Sequence, residues 1–202
     1  MLTSRIIVYS DLNCPFCFIL NEWLEANGQA DRVRWRGVEH MPELAPALSE
    51  SDEVQAELSR EVASVRDRAP EIEISRPPNR PNSRLAIATL LSVEEAFPDR
   101  AAELRTLVFR ALWQRGQDIS SPAVLANVLK EAGIEAAFVP APNVSLAQEC
   151  FEEWDQAKYC RIPALRAPTG ATYLGLGDAK ALHLFMGSAL FDMARPGSCT
   201  VG

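Results

Sequence analysis

Cys14 and Cys17 stand three residues apart in DLNCPFCF (11–18). Cysteines at that spacing have three uses: half of a metal site, a redox pair, or two incidental thiols at a helix start. A metal site needs partners. The chain has five cysteines (Cys14, Cys17, Cys150, Cys160 and Cys199) but a single CxxC. Neither His40 nor His183 has ligand-like spacing to it, so no metal is expected. The redox use depends on where the pair sits. In CPFCFILNEWLEANG (14–28) Cys14 reads as the N-cap of a helix, Pro15 as its first residue and Gly28 as its left-handed stop. A cysteine at a helix N-terminus meets unpaired N–H groups and the positive end of the dipole, which favour the thiolate. Cys17 lies one turn on, near enough for a disulfide and sheltered by the helix. Cys14 is therefore expected to be an exposed attacker and Cys17 a buried resolver, the division of labour that exchange through a mixed disulfide requires. Pro15 brings no backbone donor and Phe16 no charge. The Cys17 amide and the dipole are thus expected to lower the Cys14 pKa unaided.

Positioning such a pair takes a strand to deliver it and a helix to hold it. RIIVYS (5–10) is short, apolar and β-rich. Phe16, Ile19, Leu20, Trp23 and Leu24 then recur at helical spacing, and RVRWRGVEH (32–40) reads as a second strand. Strand, helix and strand in forty residues make a βαβ unit with parallel strands. The next ~120 residues carry only helical patterns. Val54, Leu58, Val62 and Val65 share one face; further helices follow around Ile87–Phe97, around Leu104–Leu112, after Ser121-Pro122, and after a capping box formed by Ser145 and Gln148. The β signal returns near 164–167 and 171–175 around a Thr169-Gly170 turn. Asp178 caps a final helix bearing Leu182, Phe185, Met186, Ala189, Leu190 and Met193. Neither end has strands enough to stand alone, so both must join one sheet. The expected organisation is 1–40 with 160–202 as one domain and 41–159 as an inserted helical one.

Several residues outside the pair invite chemistry. Asp11, three before Cys14, reads either as a group that moves the Cys17 proton or as a solvated loop carboxylate. Asn82 reads as a cap or turn residue. Asp178 is an N-cap, although the same helix end could hold a peptide carboxylate. Ile162-Pro163 opens the returning strand, where a proline fits because it cannot donate to a ladder. His40 and His183 are expected to be structural or surface residues. A helix should keep Cys150 and Cys160 apart, and Cys199 lies in a tail with no assignable role.

Composition bounds the partners. The chain is 48% apolar and 23% charged, with net charge −7. That charge does not fit a nucleic-acid partner, whose phosphates need a basic surface. No apolar run approaches the ~20 residues of a membrane span. MLTSRIIVYSD also fails as a secretory signal, so a cytoplasmic location is expected, where thiols stay reduced unless they turn over.

The chain resembles the DsbA-like branch of the thioredoxin superfamily. The subgroup nearest to it contains FrnE-type disulfide oxidoreductases, 2-hydroxychromene-2-carboxylate isomerases and kappa-class glutathione transferases. The resemblance runs from Arg5 to Arg195 through DLNCPFCF (11–18), RPNSRLA (80–86), ALWQRGQDISSPAVLANVLKEAG (111–133), RIPAL (161–165) and GLGDAKAL (175–182). It implies an α/β thioredoxin fold with an all-helical domain inserted between its βαβ and ββα halves. It implies that the bond before Pro163 is cis, that this proline packs beside the CxxC, and that Asp11 lies near the pair. It also turns Asn82 toward the active-site groove. The isomerases and kappa transferases typically carry serine at the position of Cys14, so two retained cysteines favour a thiol–disulfide oxidoreductase. Cys14 is then the nucleophile, Cys17 resolves, and Pro15 and Phe16 tune the motif. Pro163 shapes the groove and the Ile162 backbone offers a β-edge contact to peptide. Pro15-Phe16 lacks the histidine of strongly oxidising relatives. Ala179 stands where glutathione-binding relatives usually place a polar or basic residue. Two rival readings stay open. One is a glutathione-dependent isomerase or transferase, with Asn82, Ile162 and Asp178 as glutathione or substrate contacts. The other is a non-catalytic partner-binding or holdase module. No tightly bound cofactor is expected; glutathione is the candidate co-substrate. A disulfide-bearing protein or a small thiol is the candidate substrate, and a second copy of the chain is left open as a partner.

Overall fold

A computed structural model describes residues 5–44 and 51–191. Cys199 and Met193 lie outside the described residues.

The first strand, β1 (Ile6–Ser10), pairs in parallel with β2 (Val33–Gly37), and helix α1 (Pro15–Ala26) joins them. Cys14 is the N-cap of α1, Pro15 follows it, and Gly28 leaves the helix at φ +61°, a conformation that costs a glycine least. From the far end of the chain, β3 (Ala164–Arg166) pairs antiparallel with β1, setting Val8 opposite Leu165. The edge strand β4 (Thr172–Leu174) then pairs antiparallel with β3. The sheet order is β2-β1-β3-β4, so both ends of the chain build one sheet.

Among the described residues five α-helices lie between β2 and β3: α2 (Asp52–Arg68), α3 (Arg84–Ala96), α4 (Pro98–Trp113), α5 (Pro122–Glu131) and α6 (Val144–Gln156). The last helix, α7 (Ala179–Phe191), follows β4. Phe97 ends α3 and Pro98 opens α4, because a proline restricts the residue before it and suits a first turn. The start of α6 departs from the sequence pattern. Its cap is Asn143, whose Oδ1 accepts from Leu146 N at 3.0 Å, and Ser145 lies within the first turn, so the Ser145–Gln148 capping box is not formed. The entry is moved because Asn143 N donates to Ser92 Oγ at 2.8 Å and Ala88 O at 3.0 Å, both on α3. Tertiary contacts decide this helix start.

Helix α1 divides the core. Leu20 and Leu24 pack with Ile6, Val8, Leu165 and Leu182 on the sheet side. Cys14, Cys17, Phe18 and Ile19 join a larger cluster with Leu58, Ile87, Leu104 and Trp113 from α2, α3 and α4. Each large aliphatic side chain so buried contributes about 1.5–3 kcal/mol. The helical block is therefore seated on the turn that carries the cysteines. At the end of β2, a Cβ on Gly37 would meet Ile87 Cγ2 and Trp35 Cη2 at 2.5 Å, so only a glycine admits α3 so closely there. Beyond it Val38 N donates to Ser10 O at 3.0 Å, which turns the chain toward the end of β1.

Candidate active site

Because β1 and β2 are parallel, the residues after both strands emerge at one edge of the sheet. Asp11 follows β1 and is fully buried, so it is not a solvated loop carboxylate. Its Oδ1 accepts from Asn13 N at 3.1 Å. Its Oδ2 accepts from His40 N at 2.9 Å and lies 2.7 Å from His40 Nδ1. The rest of the loop is tethered as tightly. Trp113 Nε1 donates to Leu12 O at 2.9 Å, Asn13 Nδ2 to Pro81 O at 3.2 Å, and Cys14 N to Asp11 O at 3.3 Å. Arg80, nearly all of it buried, donates to Asn13 O and forms an ion pair with Glu61 of α2.

At the head of α1, Cys14 makes no side-chain capping bond, and Cys17 N donates to the Cys14 carbonyl at 3.1 Å. Burial pushes the Cys14 thiol up. The Cys17 thiol donor, the positive charge of His40 and the Cys17 amide outweigh that, so its pKa falls below that of an ordinary cysteine. Cys17 moves the other way. Burial raises it first, then its donated bond to Cys14 and the negative charge of that sulfur, and it ends well above the ordinary value. The cysteines are unequal in the direction the helix position implies.

Two expectations require correction. Cys14 is not exposed: 4% of its surface is open, against 1% for Cys17. A helix end predicts the local field but not what folds over it, and here α2 and α4 pack against α1. His40 is not a bystander either. It sits on Asp11 and contributes to the lowering that the amide and dipole were expected to supply unaided. The signal was present in the βαβ pattern, since parallel strands deliver their following residues to one edge. His183 lies elsewhere, edge-on to Trp23 on α7.

The remaining candidates fall around this centre. The Ile162–Pro163 bond is cis, Pro163 is buried, and its carbonyl accepts from Gly175 N at 2.7 Å. Ile162 packs on the cluster that contains both cysteines. Phe16 is half-buried, and the Arg68 guanidinium lies 5.6 Å from its ring centre. Arg68 also donates to Leu176 O at 3.2 Å, at the rim of a cleft of about 350 Å³ lined by Ile19, Trp23, Ile72 and Asp178 among others. Neither cysteine lines that cleft. Asp178 caps α7, its Oδ1 accepting from Ala181 N at 2.7 Å, and Ala179 follows it. Asn82 is committed to a turn: its Nδ2 donates to Glu39 Oε1 and Leu44 O while its Oδ1 accepts from Arg84 N. Cys150 is buried beside Arg36, burial pushes its pKa up to about 11, and Cys160 is exposed. Cys14, Cys17, Cys150 and Cys160 are all free. Among the described residues no cluster of His, Cys, Asp and Glu fits a metal, and no helix is long and apolar enough to cross a membrane.

Known proteins resemble this arrangement. A probable DsbA oxidoreductase from Streptomyces coelicolor superposes with a TM-score of 0.75 at 16% identity, over 96% of this chain and 92% of its own. A 2-hydroxychromene-2-carboxylate isomerase gives 0.73 at 19%, over 94% and 98%. The cytosolic disulfide reductase DsbM from Pseudomonas aeruginosa, in a structure with GSH, gives 0.70 at 14%, over 93% and 99%. At such identities the likeness is one of fold. The profile of the DSBA-like thioredoxin domain matches residues 5–159, more than half of the chain and the whole segment from β1 through α6. The chain therefore belongs to the DSBA-like thioredoxin domain family.

Proposed function

We propose that this protein is a thiol–disulfide oxidoreductase acting through Cys14 and Cys17. The observation that carries the reading is the placement of the two thiols, Cys14 capping α1 and Cys17 one turn inside it in the same buried cluster, which shifts their acidities in opposite directions. The Cys14 thiolate attacks one sulfur of a substrate disulfide, forming a mixed disulfide and expelling the other sulfur as a thiolate that takes up a proton. Cys17 then gives up its proton and attacks the Cys14 sulfur, which expels the second substrate thiol. Two electrons pass from the protein dithiol to the substrate, and the protein is left with a Cys14–Cys17 disulfide. A dithiol substrate drives the same steps backward. The 4% exposure of Cys14 favours a slender peptide or small disulfide that can enter at Ile162 and Pro163.

We take glutathione as the co-substrate, a small thiol suited to a sulfur that is only 4% exposed. The cytoplasm is the compartment that matches, as it does for the named reductase DsbM. The likeness to an isomerase keeps a second reading in play, in which glutathione attacks a small organic substrate. Against it, Asn82 has its amide and carbonyl engaged within the protein.

Insulin reduction with glutathione as reductant tests the assignment. Cys14→Ser should abolish turnover. Cys17→Ser should accumulate a mixed disulfide visible on non-reducing electrophoresis. Full activity in Cys14→Ser would overturn the oxidoreductase reading, and glutathione-dependent isomerisation retained there would establish the rival.

A further inference from the structure

We propose that His40, clamped as an imidazolium on Asp11, is the positioning residue that holds Cys14 in its thiolate form and releases a proton when the pair is oxidised. The proposal rests on Cys14 as the nucleophile.

The geometry fixes the ring. Asp11 Oδ2 receives both the backbone N–H of His40 and its Nδ1, so Nδ1 serves as a donor and protonation at Nε2 decides the charge. The same residue holds Asn13 through Oδ1 and Cys14 through its main-chain carbonyl. One buried residue thus ties His40, beyond the end of β2, to the head of α1. The His40 side chain stays 23% exposed, which lets it trade protons with water.

The charges around the pair make the ring's state matter. Glu61 of α2 and Arg80 before α3 face each other as an ion pair. Glu39, beside His40 in sequence, is engaged by Arg84 and Asn82. Asp11 has His40 in direct contact, with Arg80 near enough to act on the same ring. With the ring neutral, nothing on it would offset the carboxylates around the pair, Glu61 against Cys14 and Asp11 against Cys17. With the ring charged, the thiolate forms next to a balanced pair. The influence is mutual. Burial and Arg80 push His40 down, but Asp11 and the Cys14 sulfur raise it above the usual histidine range.

Oxidation removes the negative sulfur, and the ring loses one of its two supports. The balance then closes. The reduced site holds the Cys14 thiolate, the Cys17 thiol and the His40 imidazolium. A protein or glutathione disulfide takes the two electrons, and the protons that complete its two thiols come from Cys17 and His40. The protein is left with a disulfide and a neutral ring.

The chain has only two histidines, so both ring signals can be followed by NMR and assigned with His183→Gln. In the wild type the His40 midpoint should lie above ~6.5 when the pair is reduced and fall when it is a disulfide. Identical midpoints in the two states would overturn the proposal. His40→Asn keeps a donor near Asp11 Oδ2 but no charge. Alkylation of Cys14 by iodoacetamide, located by mass mapping, should then slow about tenfold at pH 6, as the thiolate midpoint rises by about one unit. An unchanged pH profile would show the clamp to be structural only. If His40→Asn fails to fold, the wild-type titration still decides. Coupling without insulin reduction would sink the proposed function and leave this inference; reduction without coupling would do the reverse.

Discussion

Cys14 and Cys17 share a helix end and a hydrophobic cluster, yet their acidities diverge. The Cys17 thiol and the charge of His40 favour a thiolate at Cys14, while burial and that negative sulfur disfavour one at Cys17. Acidity of this kind must appear in stability. The folded Cys14 pKa lies below the unfolded value of ~8.5, so its contribution is fully present above ~8.5 and is lost as pH falls through the folded value. The stability gap between wild type and Cys14→Ser should therefore be wider at pH 8 than at pH 5. Urea titrations of both proteins under reductant read it directly, and a gap independent of pH would mean that folding does not favour the thiolate. The cysteine pair and its order of reactivity were legible in CPFC, because helix-end electrostatics is local. The burial of Cys14 was not, and of the partnership of Asp11 with His40 only the shared sheet edge was. Both depend on residues 29 or more positions away meeting in space.

At the scale of elements, the reactive loop is fixed by segments that the sequence places far from it. Trp113 ends α4 and is fully buried, and its indole N–H donates to the Leu12 carbonyl, two residues before Cys14. Trp113→Phe keeps an aromatic ring and removes the donor. It should cost about 1–3 kcal/mol for the carbonyl left unmatched, read from denaturant midpoints. Cys14 should also alkylate faster as the loop loosens. Equal stability with an unaltered labelling rate would show that packing holds the loop without this bond. Most helix boundaries were readable, because Pro15, Pro98 and Pro122 mark first turns and Ser51 and Asp178 accept capping bonds. The start of α6 was not, since Asn143 takes its place from α3.

The whole molecule raises the question of whether sheet and helical block are separate units. Helix α1 gives Leu20 and Leu24 to the sheet cluster and Phe18 and Ile19 to the other, so neither side can lose order without stripping one face of the same helix. The chain order β-α-β, helices, β-β-α pointed to a joint sheet, because short strands such as β3 and β4 gain stability only once β3 is paired with β1. It could not show that the inserted helices would share α1. We expect one cooperative unfolding transition. Leu165→Ala in a Trp23→Phe, Trp154→Phe background tests it, since Leu165 is fully buried in the sheet cluster, while the remaining Trp35 and Trp113 report on the larger one. Truncation there should cost about 2–5 kcal/mol. If the units are one, tryptophan fluorescence and far-ultraviolet dichroism will shift together to lower denaturant by the same amount. A tryptophan transition that stays in place while the sheet melts early would divide the protein in two. It would also part Cys14, in the larger cluster, from the strand that presents Pro163, and exchange activity would then fall with the first transition rather than the second.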